Sequence, residues 1–149
     1  MAINKPKALT AARDEDKISR KMLVWVNTFP ETPVAIINFE NLAADQESMA
    51  LSTIQSTYIT KRYITGGYRA EYQFKVIFRI KPGNSNDKRL KADELLNRLG
   101  DWARTETPDI GEGFVSLKVE PTTRSSLFAA YDNGDEDHQI LMKLTYEVI

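Results

Sequence analysis

The single histidine, His138, stands in an acidic run with Asp132, Asp135, Glu136 and Asp137. Two chemistries could use such a cluster. A nucleophilic triad needs a serine or cysteine on a rigid elbow, a histidine base and an orienting acid. The chain has no cysteine and no G-x-S-x-G, so His138 has no nucleophile of that kind to activate. A hard divalent cation needs several carboxylate oxygens, which the four acids could supply. Their spacing lacks the alternation and distal glutamate of a calcium loop, and an acidic turn fits it better. No catalytic, metal-binding or cofactor-binding residue is expected, and the chain is not expected to be an enzyme.

Other motifs are weaker. Gly66-Gly67 is not followed by the glycine, lysine and hydroxyl residue of a phosphate loop, and Gly111 and Gly113 form a fragment that any turn could carry. Arg69, Lys75 and Arg79 lie close in sequence to Tyr72, Phe74 and Phe78, a composition that nucleic acid could use. Stacking platforms need the aromatics on the wet face with the cations, whereas strand parity sends the two sets to opposite faces. The aromatics therefore read as core. Arg69, Lys75 and Arg79 remain candidate interaction residues, as do the four acids.

These residues need elements to position them. The 149 residues suit one domain, expected over 1–149, with 42% hydrophobic and 28% charged residues. Residues 1–13 read as a flexible arm. From Asp14 a helix is expected through Ile18, Met22, Trp25, Val26 and Phe29, with Pro30 as its stop. Val34 to Phe39 is a short β-rich run, while Met49 to Thr57 fits either a strand or a long excursion. In Arg69 to Ile80 the even positions are apolar and Ile77 is the exception, a two-residue period with one buried face. Tyr58 to Thr65 should pair with it through a Gly66-Gly67 turn in which both glycines take positive φ.

Ala92, Leu95, Leu96, Leu99, Trp102 and Ala103 then keep helical spacing before Pro108. Leu95, Leu99 and Trp102 should pack against Tyr72, Phe74, Val76 and Phe78. Val115, Leu117 and Val119 share a parity, Leu127 to Tyr131 leads into the Asp132-Asn133-Gly134 turn, and Ile140 to Val148 alternates again. The fold class that follows is α+β, a mainly antiparallel sheet with two helices packed on one face.

Charge is sorted along the chain. Residues 1–21 sum to +3, 22–60 to −4, 61–104 to +6 and 105–149 to −6. A subunit that meets copies of itself could use unlike surfaces of this kind, and charges that merely decorate exposed faces would give the same sorting. No apolar run reaches the ~18 residues of a membrane helix, and the opening MAINKPKALTAARDEDK is charged where a secretory signal is apolar. No membrane association is expected.

The run MALSTIQSTYITKRYITGGY from Met49 to Tyr68 continues to FRIKPGNS from Phe78 and ADELLNRLGDW from Ala92. VEPTTRSSLF from Val119 and the acidic segment before the last strand follow. Together they resemble proteins of tailed phages and prophages of Gram-positive bacteria that are called minor capsid or tail terminator proteins. The likeness spans about Ile18 to Ile149 and carries no named binding residues. It implies a tail-terminator-like fold and a virion location in the tail or neck, after synthesis in the host cytoplasm. It also implies a homo-hexameric ring that caps the tail tube and joins it to the head. The implied partners are the major tail tube protein, a head-completion or stopper protein, and genome DNA passing without sequence-specific binding. A head-closure or neck connector and a nucleic-acid-binding regulator are the alternatives.

Overall fold

Alternating apolar residues put one face of strand β4 (Tyr68–Ile80) and one face of β7 (Glu136–Val148) into the core. The two strands pair antiparallel along their whole length, Tyr68 opposite Val148 and Ile80 opposite Glu136. In the computed structural model, which describes residues 7–54 and 59–149 with side chains from Asp16 onward, this pair is the spine of a seven-stranded sheet.

Each spine strand has an interrupted partner on its outer side. Strands β2 (Ser48–Thr53) and β3 (Ile59–Arg62) both pair with β4, while β5 (Phe114–Pro121) and β6 (Ser126–Ala130) both pair with β7. All of these pairings are antiparallel. The exception is β1 (Ile37–Phe39), which adds to β2 in parallel. The run from Met49 thus forms a strand as far as Thr53, and Tyr58 and Thr57 lie outside the described residues.

Helices α1 (Lys7–Val26) and α2 (Asn86–Thr105) cover the inner face of the sheet. Ser85 caps α2 by accepting the N–H of Lys88, and Asp87 favours the positive end of the helix dipole. Leu95, Leu96 and Leu99 are buried on the even-numbered face of β4 beside Tyr72, Phe74 and Val76, as their spacing predicts. Gly100 permits the approach. A Cβ there would lie 3.0 Å from both Ile140 Cδ1 and Pro121 Cγ.

Four expectations need correction or extension. Helix α1 begins at Lys7 and not at Asp14, because Ala8, Leu9, Ala11 and Ala12 are strong helix formers; of the expected arm, residues 1–6 lie outside the described residues. Trp102, partly buried against the core, also meets the other helix: its ring is stacked 4.9 Å from Trp25 of α1 and tilted 5.4 Å from Phe29 just beyond it, while Trp25 Nε1 donates to the Glu106 carbonyl at 2.8 Å.

The two glycines of the β3–β4 turn do different jobs: Gly66 has φ 92°, whereas Gly67 is needed because a Cβ there would overlap the carbonyl oxygen of Val148. The last correction concerns β5. Ser116 lies opposite Tyr146 but Lys118 lies opposite Thr145, so the ladder shifts at Leu117. This bulge leaves Val115 and Leu117 exposed and turns Val119 inward.

Candidate functional site

The acidic run enters β7, so alternation divides it between the two faces of the sheet. Asp137 points to the outer face and lies opposite Arg79 in the β4–β7 ladder. Arg79 Nε donates to Asp137 Oδ1 at 2.7 Å and Nη2 donates to Oδ2 at 2.9 Å, a two-pronged pair with Asp137 fully buried. The Tyr131 hydroxyl donates to the same carboxylate at 2.8 Å, and the Arg79 guanidinium lies 4.9 Å above the Tyr131 ring. The hydrogen bond to Asp137 holds the Arg79 guanidinium protonated beyond its ordinary range and raises the Tyr131 hydroxyl above its own.

On the inner face Glu136 meets α2. Arg89 Nε lies 3.0 Å from both Glu136 oxygens, and Nη2 lies 2.8 Å from Oε2. Arg89 depresses the Glu136 carboxyl below its usual range despite the cost of burial. His138 shares this face and is buried, its Nδ1 2.8 Å from Asp93 Oδ1 of α2. Ser125 Oγ, in the β5–β6 connection, donates to the same Asp93 oxygen at 2.8 Å.

The three triad residue types are thus present with their order inverted. In a triad the imidazole stands between hydroxyl and carboxylate, so that it can take the hydroxyl proton. Here the carboxylate stands in the middle and His138 does not reach Ser125. His138 Nε2 lies 3.5 Å from Glu136 Oε1 and makes no hydrogen bond. The arrangement clasps α2 to β7 and to the β5–β6 connection.

The remaining candidates separate. Asp135 is buried at the hairpin base, where its Oδ2 accepts the Asp45 N–H at 3.0 Å and Asn133 Nδ2 at 2.9 Å. The Asp45 N–H, then Asn133, lowers its pKa below the ordinary carboxylate value. Asp132 alone of the four is exposed at the tip. Arg69 pairs with Glu147 at 3.3 Å, and Lys75 lies 4.5 Å over the exposed Phe128 ring. Arg69, Lys75 and Arg79 therefore share the outer face, as parity predicts, but each has a partner within the chain. The acidic run is correspondingly not a free turn: Asp135, Glu136 and Asp137 are internal.

No sequence motif singles out Arg89, Asp93, Ser125 or Tyr131. The signal for the first two was available, because His138 has the parity of Ile140 and must meet a helix. Among the described residues no three His, Cys, Asp or Glu side chains converge as metal ligands. A groove of about 650 Å³ runs between α2 and the segment before β2, floored by Phe78, Ile80 and Leu95 and rimmed by Lys81, Lys88 and Lys91. Among the described residues no helix is long and apolar enough to cross a membrane.

A chain from the "virion of native gene transfer agent (GTA) particle" has a TM-score of 0.56 to this one, covering 87% of this chain and 97% of its own, at 9% identity. The fold recurs in a virion particle. A second solved structure has a TM-score of 0.52 over 91% of this chain and 95% of its own, at 15% identity. At such identities the likeness is one of fold. No family model matches the chain, and no curated protein matches it.

Proposed function

We propose that the chain is a structural virion protein of a phage-like particle, and within that particle a tail terminator. Six copies form a ring that closes the tail tube and presents a surface to the head. The observation that carries this reading is the shared fold with a chain of a gene transfer agent virion, aligned over 97% of that chain's length. The sequence resemblance to tail terminators, spanning about Ile18 to Ile149, points the same way. The inverted order of His138, Asp93 and Ser125 supports a role played through surfaces and not through catalysis. The expected partners are copies of the chain, the tail tube protein and a head-completion protein.

The test is sedimentation of the purified chain with the tail tube protein of its particle, followed by imaging of tube ends. Rings of six at one end of each tube are the expected result. Binding to a head-completion protein without the tube would assign the chain to the neck. Binding to DNA fragments with neither protein bound would overturn both in favour of a nucleic-acid-binding regulator.

A further inference from the structure

Strands β3 and β5 stand on opposite sides of the sheet but at the same height. Arg62, Tyr68, Val148 and Phe114 form one row across it, and Ile59, Ala70, Tyr146 and Ser116 form another. Among the described residues no strand pairs with the outer side of β3 or of β5. Each therefore presents unpaired N–H and C=O groups, a template for another strand.

Basic charge lies on β3 itself and acidic charge in the connection that leads into β5, whose own Lys118 and Glu120 pair with each other at 3.4 Å. Lys61 and Arg62 are exposed on β3, and neither has an ion-pair partner among the described residues. Glu106, Asp109 and Glu112 are exposed in the connection that leads into β5, also without an ion pair among the described residues. The Ser116 hydroxyl ties this connection to β5 by donating to the Pro108 carbonyl at 2.7 Å. Apolar surface accompanies both: Ile64 is fully exposed just after β3, and Val115 and Leu117 are about 40% exposed on β5. The internal pairs of Arg79 and Arg89 with Asp137 and Glu136 take two charges from each of the +6 and −6 segments. Lys61, Arg62, Glu106, Asp109 and Glu112 are part of what remains outside.

We propose that β3 of one copy pairs with β5 of the next, so that the sheet continues from subunit to subunit. This proposal rests on the self-assembling role given above. Strand direction agrees with it. β3, β4, β7 and β5 alternate in direction, so equal copies set side by side bring β3 against β5 antiparallel, the more stable ladder. Lys61 and Arg62 then face the acidic connection of the neighbour. The contact joins unlike surfaces, and such contacts close into rings when the rotation per copy divides the circle. A second copy is the occupant because one chain carries both complementary edges.

The chain has no cysteine, so introduced thiols report single positions. Two variants of the full chain, Thr60→Cys and Leu117→Cys, would be treated with a short bismaleimide separately and as an equal mixture, after checking that each melts like the parent. The expected result is covalent dimers in the mixture and none with either variant alone. The double variant should give a ladder that stops at six. In parallel, Lys61→Glu with Arg62→Glu should weaken self-association roughly tenfold or more, and Glu106→Lys with Glu112→Lys in the same chain should restore it. Rings of six without the mixed cross-link would overturn this contact and leave the terminator reading standing. Mixed cross-links in open filaments would support the contact and overturn the six-membered ring. A chain that stays monomeric at every concentration and on tube ends would overturn both.

Discussion

Arg79 and Asp137 are direct neighbours across the two longest strands of the sheet and are joined by hydrogen bonds of 2.7 and 2.9 Å in a nearly dry setting. Removing one partner leaves the other buried and uncompensated. Asp137→Asn or Arg79→Met should cost about 3 kcal/mol, measured by chemical denaturation, while Arg79→Met with Asp137→Leu should recover much of the loss. Equal losses for the double variant and the singles would show that the pair is not isolated from its surroundings. Because Tyr131 also donates to Asp137, Tyr131→Phe should cost less than either charge deletion, about 1 kcal/mol.

Stability should also depend on acid. The Glu136 carboxyl is depressed by Arg89, and that of Asp135 by the Asp45 N–H and Asn133. A carboxyl whose pKa is lower folded than unfolded contributes stability that is present above the unfolded value and lost as pH falls through the folded one. The contribution of these two carboxyls to the denaturation midpoint should therefore be lost below about pH 4, where free carboxyls begin to protonate. Glu136→Gln should remove part of that loss. A profile identical to the parent's would mean that Arg89 does not hold Glu136 in solution.

How far all this could be read from residue order depends on the range of the interaction. The spine strands, the helix from Ala92 to Ala103 and the α+β class followed from local periodicity, since each repeats within a few residues. His138 and the acids could be placed near a turn but not paired, because Arg79, Arg89 and Asp93 lie 45 to 58 residues away in the chain. The start of α1 is hidden for a different reason: residues 7–13 have helical propensity without an apolar period. Trp102 obeyed its helical spacing, but spacing cannot tell a helix–sheet contact from a helix–helix one.

The β3–β4 turn offers a contrast between adjacent glycines. Gly66→Ala meets open space and pays only for the positive φ, about 1 kcal/mol. Gly67→Ala drives a methyl group into the Val148 carbonyl, which cannot move without disturbing the β7 end of the sheet. Thermal unfolding should show the Gly67 variant as clearly the less stable. A reversed order would mean that the end of β7 moves away freely in solution.

The helix seam gives a further pair of variants. Leu99 is fully buried against the sheet and Trp102 is stacked on Trp25, so Leu99→Ala and Trp102→Ala should each cost about 3 kcal/mol. They should differ in what they loosen. Trp102→Ala removes a contact to α1, so hydrogen exchange should rise first in residues 16–26, whereas Leu99→Ala should loosen α2 and the sheet together. Uniform loosening by both would mean that α1 has no independent seam.

The bulge in β5 permits a test in which neighbours behave oppositely. Val119 is buried opposite Leu144 in the ladder, and Leu117, two residues earlier, is turned outward by the register shift. Without the bulge both would share a face and respond alike. With it, Val119→Ser should cost about 2 kcal/mol by placing a hydroxyl in the core, and Leu117→Ser should leave the melting temperature nearly unchanged. Under the edge pairing proposed above, Leu117→Ser should nonetheless weaken self-association, because the exposed leucine lies on the strand that receives the next copy. A Leu117 variant that melts early would place that side chain in the core and overturn the bulge. One that melts normally but also assembles normally would keep the bulge and remove Leu117 from the contact.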